Sequence, residues 1–154
     1  MFRRGNKKDI PFITNSWLKS YRDGLAVRAI PHDVYYYHQH KLIEKLLPRC
    51  VNLVVCRSDD PDQILAYVIA EKMDTALVIH YMYVKHTFRR LGLATQMVDK
   101  LRESEGDPPV MITHRTYAYQ KIRETWEANG KENKMHGWVY NPYLAWRLVE
   151  LNHE

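Results

Sequence analysis

Three apolar, β-rich runs stand close together in the middle of this 154-residue chain: Val51–Cys56, Ile64–Ala70 and Ala76–Val84. The links between them, an Asp-Pro loop at 59–62 and the segment 71–75, are too short to carry a chain back across a sheet. A parallel return needs a dozen or more residues, so the three runs are predicted to form an antiparallel meander. The next segment changes period. Leu91, Ala94, Met97, Val98 and Leu101 recur at steps of three and four, the mark of an amphipathic helix. Val110–His114 then reads as a strand after Pro108-Pro109, so the helix is a crossover between two parallel strands.

The flanking segments complete an α+β pattern. Thr14 or Asn15 is expected to cap a helix through Trp17, Leu18 and Tyr21. Asp33 is the expected N-cap of a second helix, 34–47, with Val34, Tyr37, Leu42 and Leu46 on one side and Pro48 as its stop. Beyond the crossover, a helix around Ala118, Ile122 and Trp126 should end at Asn129-Gly130, followed by a strand at 137–140. The tail, 142–154, fits either a strand or a short helix with Leu144, Leu148 and Leu151 on one face. The expected organisation is a basic N-terminal arm, 1–9, and a single domain, 10–154.

Composition excludes several classes. With 45% apolar residues spread along the chain, intrinsic disorder is not the main state. No run approaches about 18 consecutive apolar residues, so no membrane-spanning helix is expected, and no apolar segment behind the basic start suggests a signal peptide. Cys50 and Cys56 read as reduced, mostly buried thiols of a cytoplasmic protein and are too few for a four-ligand zinc site of their own. No metal site is read elsewhere. His38 and His40 lie two apart on a helix and point about 200° from each other. Asp59, Asp60 and Asp62 lack calcium-loop spacing. The net charge of +5 is uneven: residues 1–50 hold ten basic and four acidic side chains, including Arg3, Arg4, Lys7 and Lys8. Such a balance favours an anionic small molecule or a nucleic acid as partner.

Chemistry concentrates at the end of the third run. There the strand passes into the loop Lys85-His86-Thr87-Phe88-Arg89-Arg90 and directly into the helix starting Leu91-Gly92-Leu93-Ala94-Thr95. First-turn N–H groups have no partners inside a helix, and its dipole adds positive potential. Gly92 permits close backbone approach, Ala94 keeps the turn thin, and Arg89 and Arg90 add full charges. The junction is suited to a pyrophosphate.

Here the chain resembles the GNAT acetyltransferase superfamily, whose acetyl-CoA loop reads Arg/Gln-x-x-Gly-x-Gly/Ala; the match is Arg89-Arg90-Leu91-Gly92-Leu93-Ala94. The resemblance covers residues 10–140 and implies a mixed, mostly antiparallel central sheet. Two N-terminal helices would precede it, with a βαβ crossover at the acetyl-CoA loop and a C-terminal helix–strand unit. It further implies acetyl-CoA as acyl donor and a primary amine as acceptor. Met82, Tyr83 and Val84 would pair with the pantetheine arm through the backbone. Leu91, Gly92, Leu93, Ala94 and Thr95 would hold the pyrophosphate, with Arg89 and Arg90 at its oxygens. Alternating faces put Val78, His80 and Met82 together, so His80 stands where the family often has a Glu base. Where the family often has a tyrosine acid, this chain has Trp126 in Trp126-Glu127-Ala128-Asn129-Gly130. Either Tyr117 or Tyr119 substitutes as acid, or the CoA thiolate leaves without one; Tyr119 is the expected CoA contact. His32, Tyr35 and Tyr36 are expected at the amine pocket, and His114 is expected to face the cleft. The acceptor stays open between a small molecule, a protein amine and, through the basic arm, an aminoacyl-tRNA. A CoA-binding module without turnover is the third reading. Nothing in the sequence fixes the oligomeric state.

Overall fold

The computed structural model of the chain describes residues 1–74, 76–89, 91–128 and 138–150. One six-stranded sheet in the order β1-β2-β3-β4-β5-β6 runs through it. The strands are β1 (Phe2–Arg4), β2 (Val51–Cys56), β3 (Ile64–Lys72), β4 (Leu77–Val84), β5 (Val110–Ile112) and β6 (Val139–Tyr140). β1 to β4 pair antiparallel, whereas β4–β5 and β5–β6 pair parallel. The helices are α1 (Ile10–Arg22), α2 (Leu25–Arg28), α3 (His32–Leu46), α4 (Leu93–Ser104), α5 (Tyr117–Ala128) and α6 (Tyr143–Glu150). The sheet therefore has the mixed, mostly antiparallel character that was expected, with the crossover helix α4 between β4 and β5.

Two apolar layers sandwich the sheet. On one face Met97, Val98 and Leu101 of α4 and Ala118 and Ile122 of α5 pack on Leu53, Val55, Val68 and Ile79. On the other, Ile13, Trp17 and Leu18 of α1 and Leu42, Ile43 and Leu46 of α3 pack on Val54, Tyr67, Ile69 and Tyr81. Burying a large aliphatic or aromatic side chain contributes roughly 1.5–3 kcal/mol, so these two layers supply the main driving force. Trp17 lies fully buried and stacks on Tyr81 with ring centroids 4.7 Å apart.

Several local readings change. The N-terminal arm is no free tail: Phe2, Arg3 and Arg4 pair with Val55, Val54 and Leu53 as an edge strand. Arg3 donates two hydrogen bonds of 2.8 Å to the Asp9 carboxylate, which also accepts from the Asn6 backbone N–H. The guanidinium holds the Asp9 carboxyl below the usual carboxylate range. α1 begins at Ile10 rather than at a Thr14 or Asn15 cap, because Pro11 suits a first helical turn. α3 buries Tyr35, Gln39, Leu42, Ile43 and Leu46, while Val34 and Tyr37 are exposed. The tail resolves as helix α6, with Leu144 and Ala145 buried. The predicted stop at Asn129-Gly130 lies outside the described residues.

β4 also departs from simple alternation. Ile69 pairs with Tyr81 but Ala70 pairs with Ile79, so His80 is the extra residue of a β-bulge. Leu77 and Ile79 share the α4/α5 core with Met82 and Val84, while Tyr81 joins the opposite core. His80 and Met82 thus do not share a face, contrary to the alternation expected from sequence.

Candidate active site

β4 and β5 pair only over Leu77–Ile79 and Val110–Ile112. Past that point the strands part, because the chain turns from β5 through Thr113–Thr116 into α5 while β4 runs on to Val84. The Lys85 N–H donates to the Leu65 carbonyl on the β3 side, at 2.8 Å. Period two then directs the Met82 and Val84 backbone groups to the opposite, open edge.

A cleft of about 1130 Å³ fills this opening. Its floor is Tyr81–Val84, and one wall is the start of α4 with Gly92, Leu93, Ala94 and Thr95. Arg115, Thr116, Tyr117 and Ala118 form the second wall, and Ser20, Tyr21, Asp23, Gly24 and Val27 close one end. Gly92 is the N-cap of α4 in a left-handed conformation, φ 76°, which a side chain rarely adopts. Among the described residues no side chain caps this helix, so its first N–H groups at the cleft wall are unpaired by the helix itself. Leu91 just before it is exposed. Arg89 lies over the Tyr117 ring at 4.4 Å and donates through Nε to the Val84 carbonyl at 3.1 Å. Arg115 lies over the Tyr140 ring at 4.3 Å. The cleft is thus apolar and aromatic along its floor, cationic at its rim, and supplied with free backbone donors at one end.

Some candidates are brought together here and others are not. Met82, Tyr83, Val84, Arg89, Gly92, Leu93, Ala94, Thr95 and Tyr117 line the cleft. Arg90 and the Trp126 side chain lie outside what is described. Tyr119 does not line the cleft: it is buried in the α4/α5 core and stacks on Trp138 at 6.0 Å. Its backbone N–H is taken by Thr116 Oγ1 at the start of α5. His32, Tyr35 and Tyr36 are not cleft residues either. His32 stacks on Tyr36, and the buried Tyr35 hydroxyl donates to the Leu18 carbonyl at 2.6 Å. That end of the cleft is formed instead by the α1–α2 segment, and Ser20, Tyr21, Asp23 and Arg115, which also line the cleft, were not picked out from sequence. Ser20 Oγ lies 2.5 Å from the Tyr81 hydroxyl, and burial raises the Tyr81 pKa.

His80 and His114 belong to a separate buried relay beneath the cleft. His80 is fully buried; its Nδ1 lies 3.0 Å from Thr113 Oγ1 and its Nε2 3.4 Å from Glu71 Oε2. Thr113 Oγ1 lies 2.9 Å from His114 Nδ1, and His114 Nε2 lies 2.9 Å from Gln39 Nε2. One set of proton positions satisfies every member. Gln39 donates to His114 Nε2, His114 Nδ1–H to the Thr113 hydroxyl, that hydroxyl to His80 Nδ1, and His80 Nε2–H towards Glu71. Burial, with the His80 ring nearby, lowers the His114 pKa to about 3, so this imidazole is neutral. Neither ring faces the cleft, so the expectation of His80 as a base in contact with the amine is not met.

Comparison with known proteins agrees with this architecture. Residues 12–105 match the acetyltransferase (GNAT) family, and the chain belongs to it. A comparison with curated protein sequences finds no match. Among solved structures, a candidate acetyl transferase from Pyrococcus furiosus shares 20% identity and a TM-score of 0.62, over 84% of this chain and 91% of that one. An acetyltransferase of the GNAT family from Staphylococcus aureus Mu50 gives 11% and 0.59, over 84% and 82%. A candidate acetyltransferase from Clostridium acetobutylicum, solved with acetyl-CoA, gives 19% and 0.52, over 82% and 87%. At these identities the likeness is one of fold.

Proposed function

We propose that this acetyltransferase moves the acetyl group of acetyl-CoA to a primary amine held at the Ser20–Val27 end of the cleft. The observation that carries the reading is a continuous path. The open β4 edge at Met82 and Val84 leads to the free N–H groups at the start of α4, within one cleft large enough for an extended ligand. Acetyl-CoA brings the activated thioester; the chain's residues bind, orient and manage protons. The Met82 and Val84 backbone groups pair with amides of the pantetheine arm by strand addition, with Tyr83 between them. Leu91 to Thr95 present N–H groups to the pyrophosphate, and Arg89 turns from the Val84 carbonyl towards its oxygens. Arg90 joins them on the sequence argument alone.

At the acceptor end Asp23 supplies the charge complement of an ammonium group. Deprotonation of the amine passes to cleft water, since no histidine lines the cleft among the described residues, and the Tyr117 hydroxyl is the candidate acid for the departing thiolate. For a tRNA acceptor Arg3 is committed to Asp9, which leaves Arg4, Lys7 and Lys8 as the exposed cations of that segment.

Isothermal titration with acetyl-CoA tests the first half. Saturable binding is expected, weakened at least tenfold in Arg89→Glu; an absence of binding by folded protein overturns the proposal. Free-thiol release across a panel of amines tests the second half. Asp23→Asn should raise KM for the amine and leave acetyl-CoA affinity unchanged.

A further inference from the structure

We propose that Cys50, Glu71 and His80 form a metal site that takes a zinc ion. The site lies outside the cleft, and the sheet register builds it. Val51 pairs with Ala70, which sets Cys50 beside Glu71, and Glu71 pairs with Val78, two residues before His80. The bulge then holds the His80 ring over the pair. One donor atom from each of the three side chains lies within 4.8 Å of the others.

The spacing fits a shared cation better than a direct ion pair. His80 Nε2 and Glu71 Oε2 are 3.4 Å apart, long for a charge-assisted hydrogen bond of about 2.7–2.9 Å. Two ligands at about 2.05 Å from a tetrahedral ion stand about 3.3–3.4 Å apart. A thiolate at about 2.3 Å stands about 3.5–3.6 Å from either, and the three donor atoms start within 4.8 Å of one another. Sulfur, imidazole and one carboxylate oxygen select a borderline ion such as zinc over the hard ions magnesium and calcium. The surroundings support the ligands. His80 Nδ1 is engaged by Thr113, and through it by His114 and Gln39, which leaves Nε2 as the coordinating nitrogen. Arg49 lies 3.5 Å from Glu71 Oε1 and so occupies the oxygen that zinc does not need. Binding replaces the Cys50 S–H bond with an S–Zn bond and releases that proton to water, while the His80 proton moves from Nε2 to Nδ1 and the relay reverses. His80 Nδ1–H then donates to Thr113 Oγ1, that hydroxyl to His114 Nδ1, and His114 Nε2–H to the Gln39 amide oxygen after the amide turns over. Thiolate and carboxylate together balance the ion's two charges. The partly exposed Glu71 and Arg49 mark the way in, and water completes the fourth position.

The test is a cobalt titration of the intact, chelator-stripped protein, followed by displacement with zinc. One equivalent of cobalt should bind and give a thiolate-to-cobalt charge-transfer band, which zinc removes. Cys50→Ser should abolish the band, and Glu71→Gln should weaken binding at least tenfold. Zinc should also raise the wild-type Tm and not that of Cys50→Ser. No band with the folded wild-type protein, or a band that survives in Cys50→Ser, overturns the proposal. None of these readouts depends on acetyl transfer.

Discussion

Replacing Thr113 by valine preserves the outline of the side chain and deletes the hydroxyl that stands between two buried imidazoles. In the wild-type protein that oxygen lies 3.0 Å from His80 Nδ1 and 2.9 Å from His114 Nδ1. Valine leaves both ring nitrogens without a partner in a place that water does not reach. An orphaned buried polar group costs about 1–3 kcal/mol, so two cost about 2–6 kcal/mol, slightly offset by the added methyl. At this chain length each kcal/mol shifts Tm by about 2–4 °C, and the variant should melt roughly 5–20 °C below wild type. Urea unfolding followed by tryptophan fluorescence measures the loss as a lower midpoint at unchanged slope. Thr113→Ser keeps the hydroxyl and should lose no more than about 1.5 kcal/mol, the contribution of one methyl. A Thr113→Val protein as stable as wild type, within about 0.5 kcal/mol, would refute the hydrogen-bonded relay.

Three further outcomes follow from the same structure. His114 is held near a pKa of about 3 against an unfolded value near 6.5, so the unfolded chain binds the extra proton. Its contribution is complete above pH 6.5 and lost as pH falls towards 3, by up to about 4–5 kcal/mol; urea midpoints between pH 7 and 4 should fall less steeply in His114→Gln. Gly92→Ala forces a side chain into φ 76° and should cost about 1–2 kcal/mol by the same assay, with Gly92→Asn milder. Asp9→Ala removes the acceptor of two Arg3 bonds and one backbone bond and should destabilise by about 2–3 kcal/mol. Amide exchange at Phe2–Arg4 should then accelerate far more than at β3, whereas equal acceleration would show that β1 is not latched by Asp9.

The meander and the crossover were legible because short links and a change of period leave few alternatives. The junction proposed to hold the pyrophosphate was legible because Gly92 and Arg89 sit at a strand-to-helix boundary. β1 was not: three residues containing two arginines carry no period, and their pairing depends on Asp9, six positions from Arg3. The bulge was hidden because alternation assumes one residue per pleat, and nothing local to His80 announces an insertion. That slip explains why His80 was assigned to the wrong neighbours. In α5 the buried set Ala118, Tyr119 and Ile122 follows helical spacing, so the placement of Tyr119 in the core was available from period alone. In α3 the polar Gln39 and Tyr35 masked the buried stripe, because one of them is there to reach His114.

The extra residue in β4 makes one strand behave as two segments in series. Upstream of it the odd-numbered side chains face α4 and α5; downstream the even-numbered ones do. Pairing residue for residue without the bulge would drive Tyr81 and Tyr83 into the aliphatic layer and expel Met82 and Val84 from it, whereas loss of the extra residue alone would leave both faces in phase. The phase of the downstream segment is therefore set by the bulge and not by the upstream alternation. Variation that reshapes the cleft floor has to arise by exchanging side chains downstream of His80, in a stretch whose phase the bulge has already set.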